Sequence, residues 1–266
     1  MPYLSPVLNV MVAAARKAGR ALIRDFGEIE NLQVSRKGPA DFVSTADKRT
    51  EKILIDELTK ARPGYGFLLE ESGTIEGTDK THRFIIDPLD GTTNFLHSIP
   101  QFAISMALER ENTLVSAVVF NPITDEMFIA ERGRGAFLND HRLRVAARTS
   151  LTEALAVTGT PFHGETGHEQ FLGEMKAAMN ATAGIRRFGS AALDLAWIAA
   201  GRFDVYWERD LSPWDIAAGI LLVREAGGVV TDLDGSEAML ESGNILAANE
   251  ALHRPMRDLL RGAKPL

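Results

Sequence analysis

The hydrophobic patterning changes once along the chain, and that change restricts the fold more than any single motif does. Four short apolar runs, Phe102–Leu108, Leu114–Phe120, Met127–Ala130 and Ala136–Leu138, are separated by Glu111-Asn112, Asn121-Pro122 and Gly133-Arg134-Gly135. Runs of that length between turn-forming residues predict a meander of antiparallel strands. Beyond residue 150 the pattern alternates instead. Strands are expected at Ala154–Val157, Phe203–Trp207, Val229–Thr231 and Ile245–Ala248, and helices at Glu169–Met179, Ala191–Ala200, Asp215–Ala226 and the tail. Such alternation marks an α/β layer. The junction at 146–152 holds no Pro/Gly/Ser-rich linker. An α+β half over 1–148 and an α/β half over 149–266 are therefore expected to pack as one unit. No internal repeat is visible.

The region before the meander begins with helices. Leu4, Leu8, Met11, Val12, Ala15, Leu22, Ile23 and Phe26 recur at helical spacing up to Gly27. A second helix is expected from Ser44 or Thr45 to Pro63-Gly64, with Ile53, Leu54 and Leu58 inward. Tyr65–Leu69 and Phe84–Ile86 then read as strands, each running straight into acidic residues.

Composition narrows the classes of function. The formal net charge of -7 gives no attraction for nucleic acid or anionic lipid, and it suits a chain that gathers carboxylates around cations. The absence of cysteine excludes disulfides, thiolate nucleophiles and cysteine-ligated zinc or iron–sulfur centres. No signal-like N-terminus is present and no apolar run approaches the ~20 residues of a membrane span, so a cytoplasmic location is expected.

The candidate chemistry lies in acidic residues at strand ends. Glu70 and Glu71 follow one strand, Asp87 and Asp90 another, and Asp215 opens a helix after a third. In Asp87-Pro88-Leu89-Asp90-Gly91-Thr92, proline fixes one dihedral and glycine permits a sharp reversal. Both carboxylates and the Leu89 carbonyl can then aim at one point, as magnesium's oxygen coordination requires. The same spacing also fits a plain surface turn. Asp215 and Asp47 each have a structural reading as well, because Ser212-Pro213-Trp214-Asp215 and Ser44-Thr45-Ala46-Asp47 both score as capping boxes. Gly189-Ser190-Ala191 precedes a helix, where free N–H groups attract an anion, or where serine simply caps. Asp232-Leu233-Asp234-Gly235 lacks the remaining ligands of a calcium loop and reads as a hairpin turn. Arg132-Gly133-Arg134-Gly135 separates two strands and is too brief for a nucleic-acid tract.

Taken together, these segments resemble the inositol monophosphatase family. Asp41-Phe42-Val43-Ser44-Thr45-Ala46-Asp47 is similar to its early D-x-V-T-x-x-D segment, and Glu70-Glu71-Ser72 to its G/E-E-E-S element. Asp87–Phe95 resembles its first signature. Trp214-Asp215-Ile216-Ala217-Ala218-Gly219, followed by Glu225-Ala226-Gly227-Gly228, resembles the second. The resemblance implies a layered α/β/α/β/α sandwich of the sugar-phosphatase type, usually dimeric, and two to three magnesium ions. Glu70, Asp87 and the Leu89 carbonyl would hold the first ion, and Asp87, Asp90 and Asp215 the second, with a weaker third near Glu70 and Asp87. Thr92 with Asp47 would activate the attacking water, with Glu70 counted among the catalytic acids. Asp90, Gly91, Thr92, Gly189, Ser190, Ala191, Glu208 and Asp215 would meet the substrate. Arg36 and Lys37 both stand where the family often has a lysine.

The implied activity is hydrolysis of a small phosphate monoester, with myo-inositol 1-phosphate first among substrates and lithium as an inhibitor. Fructose 1,6-bisphosphate and histidinol phosphate are the next substrates. Adenosine 3′,5′-bisphosphate is last, because those relatives read L-D-G-T-K/R-E-F where this chain has Thr93-Asn94-Phe95. A catalytically idle, metal-binding partner protein and a calcium-binding structural domain are the readings from other classes.

Overall fold

The computed structural model describes residues 5–28, 34–38, 41–161 and 166–266; for 34–38 and 41–43 only the backbone is described. Helix α1 (Pro6–Phe26) is capped by Ser5, whose hydroxyl accepts from the Leu8 amide, and ends at Gly27. A two-stranded ribbon, β1 (Val34–Gly38) and β2 (Asp41–Ser44), leads into α2 (Thr45–Ala61). Leu4 lies outside the described residues, as do the side chains of Arg36 and Lys37.

The meander is part of a larger sheet than the apolar runs indicated. Its strands are β3 (Gly66–Leu69), β4 (Gly73–Ile75), β5 (His82–Asp90), β6 (Ala103–Arg110), β7 (Thr113–Asn121), β8 (Glu126–Glu131), β9 (Gly135–Leu138) and β10 (His141–Arg142). They lie in the order β10-β9-β8-β7-β6-β5-β3-β4. A short helix, α3 (Thr92–Leu96), follows β5. Every neighbouring pair is antiparallel except β3 and β5.

The second half adds β11 (Leu155–Thr158), α4 (His168–Ala181), β12 (Gly184–Arg186), α5 (Ala191–Ala199), β13 (Val205–Glu208), α6 (Pro213–Glu225), β14 (Val229–Thr231), α7 (Met239–Ser242), β15 (Ile245–Ala248) and α8 (Glu250–Gly262). Its five strands lie in the order β12-β11-β13-β15-β14. Asp232–Gly235 forms a turn, but the chain passes through α7 before β15 pairs with β14, so it is not the expected two-strand hairpin. The Arg132–Gly135 turn does join two strands, and the Glu225 carboxylate accepts from the Gly133 and Gly135 amides at 2.8 Å each.

Side-chain alternation explains the layering. In β5, Phe84 and Ile86 enter a core shared with α1 and α2, whereas Ile85 faces the opposite way. In β6, Ile104 and Met106 repeat the first direction and Ala103 and Ala107 the second. The alanine face is shallow enough for α5 and α6 to pack on it, and these helices also meet the small sheet through Tyr206, Ile245 and Ala247. The outer face of that sheet carries Val205, Trp207 and Leu246 against α8 and α4. Strands buried on both faces cannot show a polar alternation. The order is thus α1–α2, large sheet, α5–α6, small sheet, α4–α8, the layered α/β/α/β/α sandwich expected. Among the described residues no helix is long and apolar enough to cross a membrane.

Candidate active site

Two features of β5 place the acids. Its parallel pairing with β3 sets Leu69 opposite Ile86, and the Glu70 amide donates to the Ile86 carbonyl at 3.2 Å, so Glu70 emerges beside Asp87. The loop that follows Glu70 is held from α2. Glu51, itself buried, accepts from the Glu71 amide at 3.0 Å and from the Ser72 hydroxyl.

The second feature corrects the sequence reading of Asp87–Asp90 as a turn. Strand β5 continues through Asp90, with Asp87 opposite Ser105 and Asp90 opposite Ala103. Three steps on one strand match two on the other, which is a β-bulge. Pro88, which has no N–H for the ladder, sits inside it. The Asp87 carboxylate accepts from the Leu89 amide at 2.8 Å, while the Leu89 side chain is buried in the core. The reversal comes at Gly91, where the sequence placed it. Its φ is 97°, and a Cβ there would lie 2.9 Å from the Gln101 carbonyl oxygen and 3.3 Å from that of Gly189.

Thr92 begins α3, and its hydroxyl lies 3.0 Å from both Asp47 Oδ1 and the Leu89 carbonyl oxygen. Asp47 Oδ2 accepts from the Ser44 amide at 2.9 Å and the Ser44 hydroxyl at 2.6 Å. Asp47 therefore caps α2 with one oxygen and holds Thr92 with the other. Burial pushes its carboxyl upward, against the lowering effect of the bonds from Ser44 and Thr92.

Asp215 repeats this arrangement on α6. Its Oδ2 accepts from the Ser212 amide at 2.7 Å. Ser105, opposite Asp87 on β6, donates its hydroxyl to the Trp214 carbonyl at 3.1 Å and so ties the start of α6 to the interior of the large sheet.

Of the two readings of Gly189-Ser190-Ala191, the serine cap is present, since the Ser190 hydroxyl accepts from the Leu193 amide at 3.4 Å, and an internal carboxylate also occupies the start of α5. Asp90 Oδ2 accepts from the Ser190 hydroxyl at 2.5 Å and the Ala192 amide at 2.8 Å. Asp90 thus joins the two halves of the molecule. Glu208 ends β13, and Tyr206 donates its phenol to Glu208 Oε2 at 2.6 Å. A cavity of about 50 Å³ opens beside Glu208, bounded by Gly159, Trp207 and Arg209.

The electrostatics identify the centre of the cluster. Burial, then the charges of Glu70, Asp90 and Asp215, hold the Asp87 carboxyl well above the usual range, and Asp87 shares a hydrogen bond with Glu70. Burial and then Asp90 do the same to Asp215. Burial raises Asp90 to about 6, against the bonds from Ser190 and Ala192. Glu208 rises to about 7, again chiefly by burial, despite Tyr206 and the charge of Arg187. Buried carboxylates that raise one another lack positive charge, and a cation would supply it. Glu70, Asp87, Asp90, Asp215 and the Leu89 carbonyl are all hard oxygen donors, which suits magnesium. As the side chains stand, no group of three or more acidic or histidine residues among those described is gathered closely enough to hold an ion. The fit is one of donor chemistry and charge.

Three residues were missed in the sequence. Asn94, on α3, donates to carbonyls of the second half. Ser105 carries no motif. Asp194 is buried on α5, and its Oδ1 meets no hydrogen-bond donor among the described residues. Burial and then Glu208 and Asp90 push its carboxyl well up. Asp194 did leave a trace, since it is the one charged residue in an otherwise apolar helix.

Known proteins with this architecture share the sequence as well. The inositol monophosphatase family matches residues 3–261. The chain is 59% identical over 261 residues to the Inositol-1-monophosphatase of Rhizobium meliloti (strain 1021), covering 98% of each. It is 43% identical over 264 residues to the Nus factor SuhB of Escherichia coli (strain K12), covering 98% of this chain and 99% of that one. The crystal structure of extragenic suppressor protein suhB from Bartonella henselae superposes with a TM-score of 0.95 at 56% identity, over 97% of this chain and 99% of that one. The class is thus a phosphatase built as a layered sandwich. The chain belongs to the inositol monophosphatase family, whose members are generally metal-dependent.

Proposed function

We propose that the chain hydrolyses a small phosphate monoester, myo-inositol 1-phosphate first, with magnesium as the metal. The observation that carries this reading is the mutual electrostatic raising of Asp87, Asp90 and Asp215, with Glu70 beside Asp87, next to the Leu89–Thr92–Asp47 hydrogen bonds. Glu70, Asp87, Leu89, Asp90 and Asp215 would hold two to three ions. Bound there, magnesium would neutralise phosphate charge and lower the pKa of a coordinated water.

The chain's own residues do the rest. Thr92 has two acceptors for one proton, Asp47 Oδ1 and the Leu89 carbonyl. Its oxygen is thereby left with lone pairs for a water, which it orients while the proton passes toward Asp47. Ser44 keeps the other Asp47 oxygen occupied, so the carboxylate cannot rotate away. Ser190 and the Ala192 amide fix Asp90 in the same way. Glu208 and the Gly189–Ala191 turn would meet the hydroxyls of the departing alcohol. A polyol suits Glu208, which Tyr206 holds from one side. Residues from both halves supply the site, which supports reading 1–148 and 149–266 as one catalytic unit. A homodimer, a cytoplasmic location and lithium sensitivity accompany this reading as family traits.

The E. coli relative is named a Nus factor. A partner-protein role for this chain would rest on that name, whereas the intact set of acids favours hydrolysis. The deciding test is phosphate release from inositol, sugar, histidinol and nucleotide phosphates, with magnesium and with a chelator. Release that is highest on inositol 1-phosphate and abolished by chelation supports the reading; a chain inert on the whole panel sinks it.

A further inference from the structure

Asn94 lies on α3, two residues after Thr92, and is buried. Its side-chain amide donates to the Phe188 carbonyl at 2.7 Å and the Gln101 carbonyl at 2.8 Å, with the Gly189 carbonyl 3.4 Å away. All three neighbours are acceptors, so the NH₂ end must face them. The backbones meet closely here, at two glycines where a side chain would crowd the contact. The Gly189 carbonyl would lie 3.3 Å from a Cβ on Gly91, and Asn94 Nδ2 would lie 3.2 Å from a Cβ on Gly189. One short helix therefore carries both the Thr92 hydroxyl and the clamp on the segment that leads into Ser190 and Ala192, which both donate to Asp90.

We propose that Asn94 is a positioning residue, a clasp between the halves that holds the Gly189–Ser190–Ala191 turn in register with Asp90 and Thr92. The proposal rests on the phosphatase reading and assigns to it a residue that touches neither substrate nor metal. Both amide protons are committed to backbone carbonyls on opposite sides of the joint. Asn94→Asp keeps the shape but sets a carboxylate oxygen against those carbonyls, so the turn is pushed away and the Ser190 and Ala192 bonds to Asp90 are lost. Asn94→Ala removes the donor without adding repulsion, and it serves where the aspartate variant does not fold.

The test combines amide hydrogen exchange with steady-state kinetics on the full chain, well below the melting temperature. In either variant the Ala192 amide is expected to exchange faster, while amides of β6 and β7 keep their protection. The kcat/KM for myo-inositol 1-phosphate is expected to fall about tenfold to a hundredfold, the scale of a small misplacement of reacting groups. Unchanged exchange at Ala192 would overturn the clasp. Wild-type kinetics in a variant that only melts earlier would reduce Asn94 to a stability role and overturn the positioning claim. A wild-type chain that releases phosphate from no ester would instead overturn the reading of the site, whatever the exchange data show.

Discussion

Replacing Glu208 by glutamine isolates the electrostatic cost of one buried acid. Its carboxyl titrates near 7 in the folded chain against 4.5 when unperturbed, chiefly because burial disfavours the charged form. The folded state therefore holds this proton more tightly than the unfolded state. The associated stability is fully present below pH 4.5 and is lost as pH rises through 7. The interval corresponds to about 3 kcal/mol. Glutamine cannot ionise, yet its carbonyl can still accept from the Tyr206 phenol. Glu208→Gln should thus gain on the wild type as pH rises, by about 3 kcal/mol between pH 4 and pH 8. The Glu208 charge also raises Asp194 and, less strongly, Asp215, so removing it relieves those carboxyls and adds to the gain in the same direction. The assay is thermal denaturation in magnesium-free buffer across that range. Parallel curves for the two proteins would refute the reasoning, since they would mean that Glu208 ionises in the folded chain as readily as in the unfolded one.

Two other substitutions separate chemistry from architecture. Thr92→Val keeps the shape and removes the hydroxyl between Asp47 and the Leu89 carbonyl; kcat should fall about a hundredfold or more with little change in KM, as the loss of a proton-handling group implies. Gly91→Ala should destabilise the fold by about 2 kcal/mol or more, because a left-handed alanine is strained and its Cβ meets the Gln101 carbonyl. A calorimetric scan checks this, and an unchanged melting temperature would contradict it.

Much of this molecule was legible in local pattern, and the misses have physical reasons. Helices α1, α2, α4, α5 and α6 fell within a few residues of expectation because caps and apolar periodicity are local signals. Strands β4, β10 and β12 (Gly-Thr-Ile, His-Arg and Gly-Ile-Arg) lie largely outside the core and carry no apolar run to read, whereas the equally short β14 is Val-Val-Thr and was legible. The Asp87–Asp90 segment looked like a turn because Asp-Pro and Asp-Gly are turn formers. Its continuation as a bulged strand depends on β6, and pairing is not a local property. Capping and site placement were set against each other for Asp47 and Asp215, yet each carboxylate caps its helix and also stands at the cluster. Ser105 and Asn94 act on carbonyls 109 and 94 residues away, a link visible only in the fold.

The most direct measurement is magnesium-dependent release of phosphate from myo-inositol 1-phosphate by Asp90→Asn and Asp215→Asn beside the wild type, with circular dichroism to confirm that each is folded. The account predicts that both variants fold, lose most of their turnover, and are not restored by excess magnesium. A folded variant that keeps near-wild-type turnover would contradict the claim that these carboxylates form the hydrolytic centre.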